Sequence, residues 1–398
     1  MPRFEPFAGV RYTDRVELDA VVAPPYDVIG PRERADLVAR SPYNCVRIEL
    51  PADEGGRSRF EVAAGLWQQW RAEGVLAIDA KPSFYVTRMS FTDEAGQRRA
   101  TTGVLGALGL TTQGDVLPHE RTTPKPKGER LDLQRATAAN LSPIWGLSMA
   151  AGLSELIAPG GEPDGPFLGR ATDTEGVAHE LWALPADRVE KLVGLVGDAP
   201  VVLADGHHRL ETAMNYRQEL IDAGQVPGPA DLVMALVVEL SERELTVQAI
   251  HRLVSGLPEG TDVVEALGRW FELSEAGTVD GTITTRMQEA GALTVITPAG
   301  AWLARPKPAT ESAAEYPLDS ARLDVALAAL PAHDIAYQHG VANIASAVAS
   351  GEAQVGVLLR PATVEVIESM ARQRLRMPPK TTFFYPKPRT GLVFRSLG

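Results

Sequence analysis

The stretch Val-Val-Leu-Ala-Asp-Gly-His-His-Arg at residues 201–209 decides how the rest of the chain is organised. Its four apolar residues predict a short buried strand. Asp205 is suited to capping a helix, and Gly206 permits the sharp turn before one. A helix over residues 207–223 is predicted by apolar residues at helical spacing: Leu210, Ala213, Met214 and Leu220. The stretch therefore predicts strand, turn and helix.

Three basic residues, His207, His208 and Arg209, occupy the first turn of this helix. The helix macrodipole disfavours cations at that end, so their presence suggests that an anion compensates. Backbone N–H groups at a helix start and an adjacent arginine can bind phosphate. The histidines could bind phosphate, transfer protons or ligate a metal. The alternative is that Asp205 only caps the helix and the histidines are surface residues.

Composition narrows the class of protein. The chain has 398 residues, enough for two or three domains, and a formal net charge of −12, which argues against nucleic acid as a partner. Cys45 is the only cysteine, so an intrachain disulfide and a cysteine-cluster metal site are excluded. Neither a signal-peptide pattern nor a membrane-length apolar run is visible. We expect a cytoplasmic protein without a membrane partner, and the oligomeric state is left open.

The pattern of apolar segments predicts an α/β fold with a mixed sheet. Helices are expected over residues 31–40, 57–73, 131–139, 186–196, 318–330 and 362–374. Strands are expected over 45–50, 83–89, 103–110, 177–185, 199–204, 231–239, 245–252 and 355–359. Four regions are predicted: 1–150, N-terminal; 151–254, the core with the turn at 205–209, called the histidine turn below; 255–310, an inserted α/β subdomain; and 311–398, a C-terminal region packed on the core.

Two N-terminal segments carry candidate site residues. Tyr26 and Asp27 follow Pro24-Pro25 on a stiff loop, which is suited to a catalytic carboxylate or simply to a helix entry. Alternation over residues 45–50 places Arg47 and Glu49 on one face of the predicted strand. These two side chains either line a cleft or form a solvated pair.

Two proline-rich basic stretches complete the candidates. Residues 117–130 combine three prolines with charges of both signs, which is typical of a binding loop, although a charged surface loop is the alternative. The tail at 377–391 is again basic and rich in proline, and Lys380 either reaches a phosphate or belongs to a docked terminus. His251 is either a third site histidine or a structural residue.

Basic groups concentrated in three stretches of an acidic protein predict a cleft for a small polyanion. Nearby carboxylates could hold Mg²⁺ or act as a general base: Asp27, Glu49, Glu120 and Asp205. Phosphoryl transfer needs positive groups on the phosphate and one carboxylate on the nucleophile. Neither a Walker loop nor a protein-kinase signature is present, so such an enzyme would have another architecture.

Four motifs together resemble the bacterial family called domain of unknown function 1015. They are Pro-Pro-Tyr-Asp-Val-Ile at 24–29, His-Glu-Arg-Thr at 119–122, Ala-Asp-Gly-His-His-Arg-Leu-Glu-Thr-Ala at 204–213 and Met-Pro-Pro-Lys-Thr-Thr at 377–382. The Asp-Gly-His-His-Arg turn is also similar to the phosphate-binding turn of the ParB/sulfiredoxin superfamily, which includes free-serine kinases. The resemblance implies a ParB/sulfiredoxin-like core. It also implies a free L-serine kinase, dependent on pyrophosphate or a nucleotide, that forms O-phospho-L-serine.

The resemblance gives each candidate a role. His208 or Asp205 would lie close to the transferred group. No motif fixes the carboxylate that takes the proton of the acceptor, and Glu49 and Glu120 are the candidates. Asp205 and Glu120 would hold Mg²⁺. Phosphate and substrate would be bound by Gly206, His207, Arg209, His119, Arg121, Thr122, Lys125, Lys127, Asp27, Arg47 and Lys380. The partners would then be a small anionic phosphate donor and a small-molecule acceptor.

Three other functions remain open at this point. One is a ParB-like switch that binds CTP, against which the acidic charge weighs. Another is a metal-dependent phosphohydrolase that uses His119, His207 and His208, for which bound Zn²⁺ would be the discriminating observation. The last is a binding protein without chemistry.

Overall fold

The computed structural model describes residues 2–93, 96–110, 114–120 and 128–398. The chain divides into two compact units. The first consists of Met1–Pro118, Thr123–Leu245 and Pro386–Gly398, and the second of His119–Thr122 and Thr246–Tyr385. Each unit contains helices and sheets, so the predicted α/β class with a mixed sheet is confirmed.

The first unit contains most of the elements. Its strands are β1 (Phe4–Glu5), β2 (Gly9–Tyr12), β3 (Leu76–Ile78), β4 (Tyr85–Thr92), β5 (Arg98–Gly109), β6 (Val116–Pro118), β7 (Ala139–Asn140), β8 (Ile144–Ser148), β9 (Phe167–Thr172), β10 (Ala178–Ala183), β11 (Val201–Asp205) and β12 (Leu232–Glu239). Its helices are α1 (Leu18–Val21), α2 (Pro31–Arg40), α3 (Val46–Glu49), α4 (Arg59–Ala72), α5 (Gly128–Thr137), α6 (Leu153–Ile157), α7 (Val189–Gly197) and α8 (His207–Asp222).

Most of the second unit follows residue 245 in the chain, and the chain returns to the first unit at residue 386. Its strands are β13 (Thr246–Ala249), β14 (His251–Ser255), β15 (Phe271–Glu275), β16 (Leu293–Thr297), β17 (Gly300–Pro306), β18 (Asp334–Gln338), β19 (Val355–Leu358) and β20 (Thr382–Tyr385). Its helices are α9 (Val263–Gly268), α10 (Ile283–Ala290), α11 (Pro308–Ala313), α12 (Asp319–Leu327), α13 (Val341–Ala349) and α14 (Val364–Arg372). Strand β21 (Phe394–Ser396) belongs to the first unit.

A large mixed sheet carries the histidine turn. Its strand order is β6-β11-β8-β12-β5-β4-β10-β9, and β1 also pairs with β5. Strand β11 runs parallel to β6 and antiparallel to β8, near one edge of the sheet. Val201, Val202 and Leu203 are fully buried, as expected for a strand with neighbours on both sides. The buried strand therefore fixes the position of Asp205 at its end and the place where helix α8 begins.

A second sheet of the first unit positions helices α3, α4 and α5. Its order is β3-β2-β21-β7, so a strand from the end of the chain lies between two N-terminal ones. Trp67, Trp70 and Phe394 are buried in the core beside it. Helix α4 begins with a capping box in which Ser58 and Glu61 satisfy each other's backbone N–H groups.

The second unit is built on a six-stranded sheet in the order β15-β17-β16-β19-β14-β18, in which every pair is antiparallel. Two apolar clusters, which include Phe271 and Ile344 respectively, form its core. The predicted strand over 245–252 is wrong as a single element. It is divided into β13, which pairs with β20, and β14, which joins the six-stranded sheet.

The segment at 45–50 is the other incorrect prediction, because it forms helix α3 and not a strand. The Asn44 side chain accepts a hydrogen bond from the Val46 backbone N–H and so helps the turn to form. Arg47 donates to the carbonyl oxygens of Val38 and Ser41. Arg47 and Glu49 therefore do not share the face of a strand.

The predicted regions and the two units group the chain differently. The expected subdomain at 255–310 lies within the second unit, together with residues 311–385. Residues 386–398 return to the first unit. In the part of the chain that is described, each helix is too short or too polar to cross a membrane.

Candidate functional site

The turn after β11 needs glycine at position 206. Gly206 has φ of +88° and lies at the N-cap of α8, so it, and not Asp205, occupies the predicted cap position. A Cβ atom there would lie 3.1 Å from the Ile144 Cα atom and 3.1 Å from Nε of Arg209. Both the left-handed backbone and the close neighbours therefore favour glycine.

Asp205 lies between two cations. Its Oδ2 accepts a 2.6 Å hydrogen bond from Arg209, and its Oδ1 is 3.2 Å from Nζ of Lys387. Burial alone would raise the pKa of Asp205, but Lys387 and Arg209 outweigh it and hold this pKa well below its ordinary value. Asp205 is therefore an ionised anchor of the turn, and its low basicity makes it a weak general base.

Arg209 is a buried part of the same turn. Its guanidinium donates to the carbonyl oxygen of Pro143 and to Asp205. Burial lowers the pKa of Arg209, yet the attraction of Asp205 and Asp27 leaves it above its ordinary value. The side chain is 8% exposed, so Arg209 holds the turn together and contributes a fixed positive charge.

The lysine that approaches the turn is Lys387, whereas Lys380 is the lysine of the tail that was predicted to reach a phosphate. Lys380 belongs to the second unit, where its backbone N–H donates to Glu120. The segment that carries Lys387 is anchored by the two residues Arg389 and Thr390 that follow it. Arg389 donates two hydrogen bonds to Asp173, and Thr390 pairs with Ala23 through two backbone hydrogen bonds.

A cleft of the first unit lies beside this turn, with a cavity volume of about 180 Å³. Pockets for drug-sized ligands typically occupy roughly 300–1,000 Å³, so the described part of the cleft suits a small molecule. The residues that line it are Tyr26, Asp27, Glu49, Leu50, Pro51, Arg59, Phe60, Glu129, Arg130, Leu133, His208, Glu211, Thr212 and Asn215. Three predicted site residues, Asp27, Glu49 and His208, are therefore brought together.

Glu49 is the most deeply buried carboxylate of the cleft, with 0% of its surface exposed. Its Oε1 accepts hydrogen bonds from Nη2 of Arg130 and from Oγ of Ser142, both at 2.8 Å. Its Oε2 has no hydrogen-bond partner among the described residues. Burying a carboxylate oxygen without a hydrogen-bond donor costs free energy. Such an oxygen is expected at a site where a bound ligand supplies the donor.

Arg130 joins Glu49 to the loop that carries Tyr26. Besides Oε1, it donates a 2.7 Å hydrogen bond to the backbone oxygen of Glu49. Its guanidinium carbon lies 3.8 Å from the centroid of the Tyr26 ring. Burial raises the pKa of Tyr26 above its ordinary value, so its hydroxyl group stays protonated at neutral pH.

Several predicted site residues belong to the second unit and have structural contacts there. His119 is buried, with Nε2 2.8 Å from Oγ1 of Thr382. Glu120 accepts the backbone N–H groups of Lys380 and Thr381, and its burial raises its pKa. His251 accepts the backbone N–H of Leu359.

His207 is the first residue of α8. The other candidates divide into two groups. Arg121, Thr122, Lys125 and Lys127 lie outside the described residues. Arg47 binds the carbonyl oxygens at the end of α2 and is not among the cleft residues above.

The Mg²⁺ site predicted at Asp205 and Glu120 stays a prediction. Within residues 2–93, 96–110, 114–120 and 128–398, no group of three or more His, Cys, Asp or Glu residues could hold a metal. Both oxygens of Asp205 already face cations. Mg²⁺ is usually held by one or two carboxylates together with water and substrate phosphates, so a group of three protein ligands is not required.

Sequence reasoning missed Arg130, Ser142 and Lys387 as partners of the candidate carboxylates. Arg130 belonged to the basic stretch at 117–130, so its position in a charged, proline-rich segment was a usable signal. Lys387 lay in the basic tail, where Lys380 was preferred. No pattern in the sequence distinguishes Ser142 as a partner of a site carboxylate.

The family model described as protein of unknown function (DUF1015) matches residues 4–326. The chain belongs to this family. Three of the four motifs that suggested the DUF1015 family lie within the matched residues, whereas the motif at 377–382 and Lys387 lie beyond them. No curated protein matches the chain.

Three solved structures show how far the fold likeness of this DUF1015 member extends. A free serine kinase in complex with AMP is 13% identical, covers 73% of this chain and 91% of its own, and has a TM-score of 0.38. A conserved hypothetical protein from Pyrococcus furiosus is 12% identical, with coverage of 72% and 91% and a TM-score of 0.36. SbnI with a C-terminal truncation, from Staphylococcus aureus, is 11% identical, with coverage of 73% and 86% and a TM-score of 0.40. With TM-scores this low, none of these likenesses bears on function.

Proposed function

We propose that this DUF1015 protein is a small-molecule phosphotransferase, a kinase for free L-serine that uses pyrophosphate or a nucleotide and forms O-phospho-L-serine. The observation that carries the proposal is the Glu49 carboxylate. It is completely buried, it lines the cleft, and its Oε2 has no partner among the described residues. The motif resemblance to free-serine kinases supports the choice of acceptor.

In this scheme Glu49 is the general base. The serine hydroxyl oxygen attacks the phosphorus atom of the donor, the new O–P bond forms, and the bond from phosphorus to the leaving group breaks. The hydroxyl proton passes to Oε2 of Glu49, while Oε1 stays hydrogen-bonded to Arg130 and Ser142. A positioned base of this kind typically contributes about 10²–10⁴-fold to a rate.

The turn at 205–209 binds the phosphate of the donor. The first N–H groups of a helix have no partner within it and attract anions, and His207 and His208 begin α8. Asp205 carries one negative charge, and Arg209 and Lys387 carry two positive ones, so this set of three side chains is net positive. Gly206 supplies the backbone geometry. Arg121, Lys125 and Lys127 remain proposed contacts of the leaving phosphate, and a ParB/sulfiredoxin-like ancestry of the turn remains a proposal based on its sequence.

The deciding experiment measures phosphoserine formation from L-serine and Mg²⁺ with pyrophosphate, ATP, ADP or CTP supplied separately. We expect turnover with one of these donors. Glu49→Gln should lower kcat by about 10²–10⁴-fold, because an amide cannot accept the proton.

Glu219→Gln is the matched control, since Glu219 is an exposed residue of α8 that pairs with Arg135. Its kcat should equal that of the native protein. The proposed reaction would be refuted if the native protein formed no phosphoserine with any of the four donors, or if Glu49→Gln were fully active.

A further inference from the structure

We propose that Arg130 is a positioning residue, which fixes the carboxylate of Glu49 so that only Oε2 is left to take a proton. This inference rests on the proposed function, because it assigns a role in turnover to a residue that acts through the general base. It is carried by the contacts that one guanidinium makes with Glu49 and Tyr26.

The first contact is a pair of hydrogen bonds to a single residue. Arg130 donates from Nη1 to the backbone oxygen of Glu49 at 2.7 Å and from Nη2 to Oε1 at 2.8 Å. These bonds fix the side chain relative to its own backbone, so rotation of the carboxylate would break at least one of them. A lysine ammonium lacks the planar fork that reaches both acceptors in this way.

The second contact is the face of the Tyr26 ring. The distance of 3.8 Å from the guanidinium carbon to the ring centroid is that of a stacked cation–π pair. Tyr26 follows two prolines, whose rings restrict the backbone of this loop. The guanidinium is therefore held by stacking on the ring and by its hydrogen bonds to Glu49.

Ser142 completes the arrangement around the carboxylate. Its hydroxyl donates to the same Oε1 at 2.8 Å, so this oxygen has two donors and Oε2 has none among the described residues. The two oxygens therefore have different roles: Oε1 is held by its donors, and Oε2 is available to accept a proton. Arg59, the other arginine of the cleft lining, instead pairs with Glu129.

The test is a double-mutant cycle between Arg130→Lys and Glu49→Gln, read out as kcat and as KM for the donor. Arg130→Lys keeps the charge but loses the fork and the stack. A small misplacement of a reacting group can cost about 10²-fold, so we expect kcat to fall by about that factor while KM for the donor is unchanged. In the Glu49→Gln background, the same change should have almost no further effect on kcat.

Arg135→Lys is the matched control. Arg135 lies on the same helix and pairs with Asp132 and Glu219 at the surface. This variant should behave as the native protein. Ser142→Ala gives a second, milder test, because it removes one donor from Oε1 and keeps Arg130; its loss of kcat should also vanish in the Glu49→Gln background.

The outcomes separate the inference from the function. Turnover by the native protein, with losses that are additive in both cycles or that appear in KM alone, would overturn the positioning role and leave the kinase intact. Absence of turnover in the native protein with every donor would overturn the proposed function and this inference with it. If Arg130→Lys does not fold, the Ser142→Ala cycle decides.

Discussion

Glu49 and Asp205 are both candidate carboxylates of the first unit, and their surroundings assign them different roles. Asp205 faces cations with both oxygens, and Lys387 and Arg209 hold its pKa well below the ordinary value. Glu49 faces donors with one oxygen only. The first is suited to holding charges in place and the second to accepting a proton. The sequence contains both residues but does not reveal this difference, because their partners are distant along the chain.

Gly206→Ala should destabilise the protein. The left-handed backbone costs a residue with a Cβ atom about 1–2 kcal/mol. The close approach to Ile144 and Arg209 would add to this cost. Urea unfolding should show the loss, and Gly224→Ala is the control: Gly224 also has positive φ, of +73°, but a Cβ there would meet no atom within 4 Å. An equal loss in both variants would show that the close approach is irrelevant.

At the scale of elements, the sequence pattern predicts those helices and strands whose ends depend on residues close by in the chain. Strand β11 and helices α2, α4 and α8 lie close to their expected bounds, because proline, capping residues and apolar spacing act within a few residues. Helix α3 was missed because alternation over a few residues also suits a short buried helix. Of the apolar stripe predicted for α8, Ala213 is buried as expected, whereas Met214 is 40% exposed and the polar Thr212 is buried.

The candidate site was predicted only in part for the same reason. Asp27, Glu49 and His208 line one cleft, and their roles there stay predictions. Their contacts with Arg130, Ser142 and the tail depend on the tertiary fold. His119 and Glu120, which belong to the charged stretch at 117–130, form hydrogen bonds within the second unit.

The C-terminal segment is an element whose anchoring is testable. The carboxylate of Asp173 accepts hydrogen bonds from Arg389, and its Oδ2 lies 2.9 Å from Nε2 of His179. Because both members of the Asp173–Arg389 pair are buried, Arg389→Ala should lower the free energy of unfolding by about 3–5 kcal/mol. Arg135→Ala, which breaks an exposed pair, should cost only about 0–1 kcal/mol. Similar losses from the two variants in urea unfolding would contradict a structural role for the segment.

At the scale of the whole molecule, the two units have separate cores, and the second unit contains a buried histidine, His251. Burial, with Arg252 and His339 nearby, lowers the pKa of His251 in the second unit to about 4. The unfolded histidine, with a pKa of about 6.5, binds a proton first as the pH falls. Stability from this group is therefore complete above pH 6.5 and is lost between about pH 6.5 and 4.

We expect the free energy of unfolding to fall by about 2 kcal/mol more in the native protein than in His251→Asn between pH 7 and pH 5. Urea titrations at the two pH values measure this difference. The asparagine keeps an acceptor for the Leu359 N–H but does not titrate. A pH dependence that is the same in both proteins would show that His251 is protonated as easily in the folded state as in the unfolded one.

The first unit is interrupted by the second, and strand β21 lies between β2 and β7 in its small sheet. During synthesis, the ribosome must make residues 246–385 before it reaches that strand. At about 5–20 residues per second, this delay is on the order of 10 s. For that time β2 has an open edge, Asp205 lacks Lys387, and the nascent chain exposes apolar surface that a chaperone would bind. Ribosomes that stop early therefore release a product that cannot complete its first unit, and only chains that extend through β21 can assemble the cleft with its neighbouring turn.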